Sequence, residues 1–209
     1  MGAYHAMLVH FPLALWTTAA LVIAIRAVSD GTFARAADRV LAPLLLLGAF
    51  MGLAAYVVGL LVWPFEAMTS SPLGRNHLLL GTWTLAYWAL LWVTRARLGE
   101  AVWDGVNRWI MLGLAALGAG LLTITGTLGG HLVGNPTAVS QVLRALGWEV
   151  YRTFYLPTFV LVLLVVAAIG FVALGWWGRA ERAVPGGEAS AASRAAARSP
   201  ERTGRKVAA

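Results

Sequence analysis

Residues 109–132 read WIMLGLAALGAGLLTITGTLGGHL and contain no charged side chain. A helix needs about 20 apolar residues to cross the hydrocarbon core of a bilayer. The stretch therefore predicts a membrane-spanning helix that ends beside His131. Its apolar residues do not alternate with polar ones as in a barrel strand, and unpaired backbone groups are not tolerated in lipid, so the span is predicted to be helical.

The rest of the chain has the same character. It is 59% hydrophobic and 12% charged, whereas soluble domains carry about 25% charged residues. Further apolar stretches of spanning length lie at 7–27, 41–63, 77–94 and 158–177. Together with 109–132, they predict an all-α polytopic membrane protein with five transmembrane helices, forming one bundle over residues 1–177.

The distribution of positive charge predicts the orientation of these helices. Thirteen of the 16 lysines and arginines follow the first, third or fifth span, whereas Arg75, Arg144 and Arg152 lie on the opposite side. The side rich in lysine and arginine is normally cytoplasmic. We therefore expect an external N-terminus, a cytoplasmic C-terminus and a location in the bacterial inner membrane.

Two segments outside the spans have distinct compositions. Residues 178–209 are rich in Ala, Arg, Ser, Gly and Pro, which predicts a disordered basic cytoplasmic tail. Aromatic residues are not interleaved with its charges, so no nucleic-acid partner is predicted. Residues 136–147, after Asn135, are predicted to form an external amphipathic helix. Its apolar face comprises Val139, Val142, Leu143 and Leu146.

All four histidines are predicted to lie at the external ends of spans. They are His5, His10, His77 and His131. Histidine in a membrane span is costly and tends to mark a functional site. Gly81 lies one helical turn after His77, and Gly129 and Gly130 precede His131, which leaves room for a flat ligand beside an imidazole. Cysteine is absent, so thiolate ligands and covalent haem attachment are excluded.

These histidines are compatible with four kinds of site. The first is a b-type haem held by two imidazoles, with Arg75 beside a propionate. His77 and His131 are the best-placed ligands, followed by His10 and then His5. The second is a copper or zinc site formed by His10, His77 and His131. The third is a quinol pocket, and the fourth is a set of interfacial side chains that only bind water, headgroups or carbonyl oxygens.

Two segments of the chain resemble the motifs of a known family. Residues 5–15 read HAMLVHFPLAL, and residues 129–133 read GGHLV. They are similar to the His-Pro-x-x-Val-His-Phe-Pro-Ile-Ala-Leu and Gly-Gly-His-Leu-Val motifs of an uncharacterised family of bacterial predicted membrane proteins, a domain of unknown function. The present chain has Ala6 where that family usually has proline. The resemblance, over about residues 5–135, implies a multi-helix membrane fold with a shared histidine pattern.

The leading prediction is a membrane electron-transfer protein that binds haem b near its outer face. It would exchange electrons with a quinol or a periplasmic electron carrier. The alternative is a non-catalytic accessory or structural subunit of a membrane complex, in contact with lipid alone or with its partner subunits. The sequence contains no nucleophile paired with a base and no phosphate-binding loop, so it predicts no particular enzymatic reaction.

Overall fold

The computed structural model describes residues 2–147 and positions 162, 163 and 166. The chain divides into two units, Met1–Leu156 and Pro157–Ala209, and the following description concerns the first. The predicted fifth span, 158–177, lies outside the described residues except at those three positions, which are helical. The predicted tail, 178–209, also lies outside them.

Every regular element within residues 2–147 is a helix. The elements are α1 (Gly2–Val28), α2 (Thr32–Asp38), α3 (Leu41–Val62), α4 (Phe65–Ser70), α5 (Pro72–Leu98), a 3-10 turn (Gly99–Trp103), α6 (Asn107–Leu132) and α7 (Ala138–Ala145). The first four predicted spans correspond to α1, α3, α5 and α6. The all-α class is therefore confirmed for the described part of the chain.

Three helical segments of this part are long and apolar enough to cross a membrane. They are Tyr4–Val28, Thr32–Val62 (which joins α2 to α3) and Asn107–Leu132. Helix α5 has 27 residues and is therefore about 40 Å long. Its polar residues and tryptophans lower its mean hydropathy, and it is not one of the three. A membrane crossing by α5 stays a prediction.

The four long helices form an antiparallel bundle. Helix α1 packs against α3 and α6, and α5 packs against the same two helices, so α1 and α5 occupy diagonal positions. The indole rings of Trp16 and Trp88 meet across this diagonal with centroids 5.5 Å apart and planes inclined by 7°. Both side chains are buried. This stacked pair forms the centre of the hydrophobic core.

Ion pairs close one end of the bundle, which we call the arginine end. The carboxylate of Asp38, 3% exposed, accepts hydrogen bonds from Arg95 Nη2 at 2.7 Å and Trp103 Nε1 at 3.1 Å. Arg26 pairs with Asp30 and lies over the Trp103 ring, 5.4 Å from its centroid. These contacts join the end of α1 and the end of α2 to the end of α5 and the turn that follows it.

Helix α6 is tied to the same end through Asp30. Arg108 Nη1 donates to the Asp30 carboxylate at 3.1 Å. The hydrogen bonds from Arg26 and Arg108 hold the pKa of Asp30 below its ordinary value. Asp30 thus connects the loop after α1 to the first turn of α6, on the side where the sequence predicts the cytoplasm.

The external amphipathic helix is present but shorter than predicted. It spans Ala138–Ala145 rather than 136–147, because its cap is Thr137 and not Asn135. The Thr137 Oγ1 accepts the backbone N–H of Ser140 at 3.3 Å. Val139 and Val142 are exposed, whereas Ser140 is buried. Val139 and Val142 are therefore turned outward.

Candidate functional site

His77 is anchored to the neighbouring helix by one ring nitrogen. It lies near the start of α5, and its Nδ1 is 3.1 Å from the Thr125 carbonyl oxygen of α6. A carbonyl oxygen only accepts hydrogen bonds, so the Nδ1 of a neutral ring carries the proton. Nε2 is then the basic nitrogen, able to bind a metal or accept a proton. Metal-binding imidazoles usually donate their other ring N–H to a carbonyl or carboxylate in this way.

A glycine allows this close approach of the His77 ring. A Cβ atom added at Gly129 would be 2.9 Å from His77 Cε1, which is shorter than real Cβ contacts allow. Gly129 is one helical turn beyond Thr125, so both contacts lie on one face of α6. Gly129 thus accommodates the imidazole of His77, whereas a Cβ at Gly130 would lie 2.7 Å from the Asn135 carbonyl oxygen. Gly81 instead lies near the Tyr56 ring, 3.9 Å from a Cβ position.

His5 is anchored to α3 in the same manner. Its Nδ1 is 2.9 Å from the Ala55 carbonyl oxygen, so the proton of the neutral ring again lies on Nδ1. A Cβ at Gly59 would be 2.9 Å from the His5 ring. The Trp63 ring meets the imidazole edge-on, with centroids 5.2 Å apart. The sequence alone places His5 last among the candidate ligands. In the structure its Nε2 is free of the ring proton, as is that of His77.

These contacts define the histidine end of the bundle, where the first turns of α1 and α5 meet the last turns of α3 and α6. His5 and His77 belong to the diagonal helices, and both imidazoles lie at this end of the bundle. The structure therefore brings together two imidazoles that lie 72 positions apart in the chain.

His10 and His131 are placed differently. His10 lies within α1, which continues through Pro12. The His10 side chain is exposed, and its Nδ1 donates to the Ala6 carbonyl oxygen of its own helix at 2.6 Å. His131 is 8% exposed in the last turn of α6. Within the described residues, no three His, Asp, Glu or Cys side chains are grouped to hold a metal ion, so His10, His77 and His131 do not converge there as the copper or zinc hypothesis requires.

Arg75 lies two residues before His77, in the first turn of α5, and is partly buried. It is therefore at the same end as the anchored imidazoles. Two polar side chains of these helices are buried: Asn76 in α5 and Thr127 in α6 are each 2% exposed. The Thr127 hydroxyl contacts that of Thr137 at 3.1 Å, which links α6 to the cap of α7.

Comparison with models of protein families gives one match, which covers most of these helices. The model of a family described as a predicted membrane protein, DUF2231, matches residues 3–140, well over half of the chain. The chain belongs to this family. The DUF2231 match includes all four histidines and ends within α7, and it confirms the resemblance seen in the sequence. No curated protein and no solved structure matches this DUF2231 chain.

Proposed function

We propose that this membrane protein binds a b-type haem at the histidine end, where Nε2 of His77 would bind the iron. The observation that carries the proposal is the bond between His77 Nδ1 and the Thr125 carbonyl oxygen. It assigns the proton to Nδ1 and holds the ring in place before any ligand binds. An imidazole fixed in this way loses little freedom when it coordinates iron.

The residues around His77 are compatible with a haem in two respects. Two imidazoles with basic Nε2 atoms lie at one end of the bundle, and bis-histidine ligation is usual for b-type haem in the absence of cysteine and methionine motifs. Arg75 lies at the same end and would pair with a propionate, because guanidinium groups bind carboxylates in a bidentate manner. A haem bound by two imidazoles would supply one-electron transfer.

The remainder of the proposal concerns location and partners. We infer that the histidine end faces the periplasm and the arginine end faces the cytoplasm of a bacterial inner membrane, following the distribution of arginine. The haem would then exchange electrons with a quinol in the outer leaflet or with a periplasmic electron carrier. The competing function is that of an accessory subunit whose histidines only connect helices.

A visible spectrum of the protein purified in detergent from haem-replete cells tests the proposal. We expect a Soret band with sharp α and β bands on reduction, lost in His77→Ala. Gly129→Leu should also lose them, because its side chain would displace the His77 ring. His10→Ala is the matched control, since His10 faces away from the bundle, and it should retain the spectrum. A colourless, folded wild-type protein would favour the accessory function instead.

A further inference from the structure

In the core, two tryptophan rings pack against glycines of the neighbouring helix, as the two histidine rings do at the histidine end. The same number of residues separates the two contacts in each helix. Trp16 follows His5 by eleven residues, and Trp88 follows His77 by the same number. The Trp16 ring lies against Gly48, and the Trp88 ring lies against Gly118. The paired glycines of the histidines, Gly59 and Gly129, are again eleven residues farther on. Helices α1 and α3 therefore make the contacts that α5 and α6 make.

The amino-acid sequence repeats in the same register. Residues 5–16 read HAMLVHFPLALW and residues 77–88 read HLLLGTWTLAYW, with identical histidine, leucine, leucine, alanine and tryptophan positions. Residues 44–49 read LLLLGA and residues 114–119 read LAALGA. The identical residues include those that make the repeated contacts, so the sequence and the structure agree on the register.

Burial follows the repeat as well. Leu41, Leu45 and Gly48 are the first buried residues of α3, and Met111, Ala115 and Gly118 occupy the same steps of α6. Helix α1 runs in the direction of α5, and α3 in the direction of α6. The two helix pairs are therefore parallel repeats, related by a pseudo-two-fold axis along the bundle, as in some transporters.

We propose that the bundle is an internal duplication of one helix pair and that His5 and His77 are the two halves of one site on its axis. The inference rests on the proposed haem and names His5, rather than His131, as the second axial ligand. Each imidazole presents a basic Nε2, because each Nδ1 is bound to a carbonyl of the partner helix. In the register of the repeat, Leu61 stands at the position of His131 and Thr82 at that of His10.

The first test measures the number and the spin state of bound haems. Haemin is added to the full-length protein in detergent. The shared site predicts one low-spin haem per chain, and His5→Ala and His77→Ala should each give a five-coordinate, high-spin haem or none. Added imidazole should restore the low-spin spectrum of His5→Ala, which a misfolded variant would not do. Two haems per chain, or low-spin haem lost in His131→Ala but kept in His5→Ala, would overturn the inference.

The second test does not require haem. The chain has no cysteine, so a short bis-maleimide can react only at introduced thiols. The double variant His5→Cys/His77→Cys should form an intramolecular cross-link in membranes, whereas His10→Cys/His77→Cys should not. Absence of the first cross-link would overturn the shared site. A cross-link in a chain whose wild type binds no haem would support the duplicated site while rejecting the haem.

Discussion

The carboxylate of Asp38 shows how one buried acid can organise the arginine end. It accepts N–H groups from Arg95 and from Trp103, which come from the end of α5 and from the turn that follows it. A buried charge is tolerated only when it is paired and hydrogen-bonded. Because Asp38 is the last residue of α2, these bonds specify where the end of α5 must lie relative to the end of α2.

The variant Asp38→Asn should lower the free energy of unfolding by about 3–5 kcal/mol, because the buried Arg95 guanidinium would keep only its ion pair with the exposed Glu100 carboxylate. Trp103→Phe is the comparison: it removes one hydrogen bond to the carboxylate and should cost about 2 kcal/mol. Equilibrium unfolding in detergent, followed by tryptophan fluorescence, measures both. A smaller loss for Asp38→Asn than for Trp103→Phe would contradict this account.

The shared position of the histidines was predictable from the alternation of spans, whereas their bonds were not. His5 and His10 lie on one helix, and the sequence did not determine which of them faces the bundle. The rotation of α1 about its own axis depends on packing against α3, and the Ala55 carbonyl carries no sequence signal. The repeated Leu-Ala-x-Trp segments at 13–16 and 85–88 were a usable signal for pairing His5 with His77.

The glycines of α3 and α6 lie against different neighbouring groups. The spacing of Gly48 and Gly52 on one face of α3 is typical of close packing between helix backbones. In the structure, the Trp16 indole fills this space. On α6, Gly118 lies against Trp88 and Tyr87, whereas nothing lies within 4 Å of a Cβ at Gly120. A glycine pattern thus predicts that something approaches the helix, but it does not show whether the neighbour is backbone, a ring or lipid.

This difference predicts opposite effects of the same substitution. Gly48→Ala places a methyl group against the Trp16 indole and should destabilise the bundle by about 1–3 kcal/mol through overpacking. Gly120→Ala meets open space and should stabilise α6 by up to about 1 kcal/mol, since alanine favours helix. Thermal unfolding of both variants in one detergent compares them. Equal effects would mean that Trp16 does not occupy the glycine face of α3.

The bundle as a whole has the arginine end on one side and the histidine end on the other. Four helices were predictable from hydropathy, and their order follows from short connections. The crossing by α5 is the weakest element of the five-span prediction, because its Arg75, Asn76 and tryptophans reduce its hydropathy below that of α1, α3 and α6. Helix α5 nevertheless packs between α3 and α6 along the bundle, which supports a crossing of the same bilayer.

Thiol labelling of the cysteine-free chain tests this crossing. Ser70 and Ala101 are exposed and lie just before and just after α5. With a membrane-impermeant maleimide, Ser70→Cys should react in intact spheroplasts, and Ala101→Cys only after permeabilisation. The reverse result would invert the orientation. Reaction of both variants from one side would show that α5 does not cross.

The stacked pair of Trp16 and Trp88 has a consequence for biogenesis. The two rings come from helices that leave the ribosome 72 residues apart. When α1 and α3 have entered the bilayer, one face of the Trp16 indole still lacks its partner and must contact lipid or insertion machinery. The hairpin of α1 and α3 is therefore inserted but incompletely packed until α5 has been synthesised. Membrane insertion precedes completion of the core, in keeping with a two-stage assembly of membrane helices.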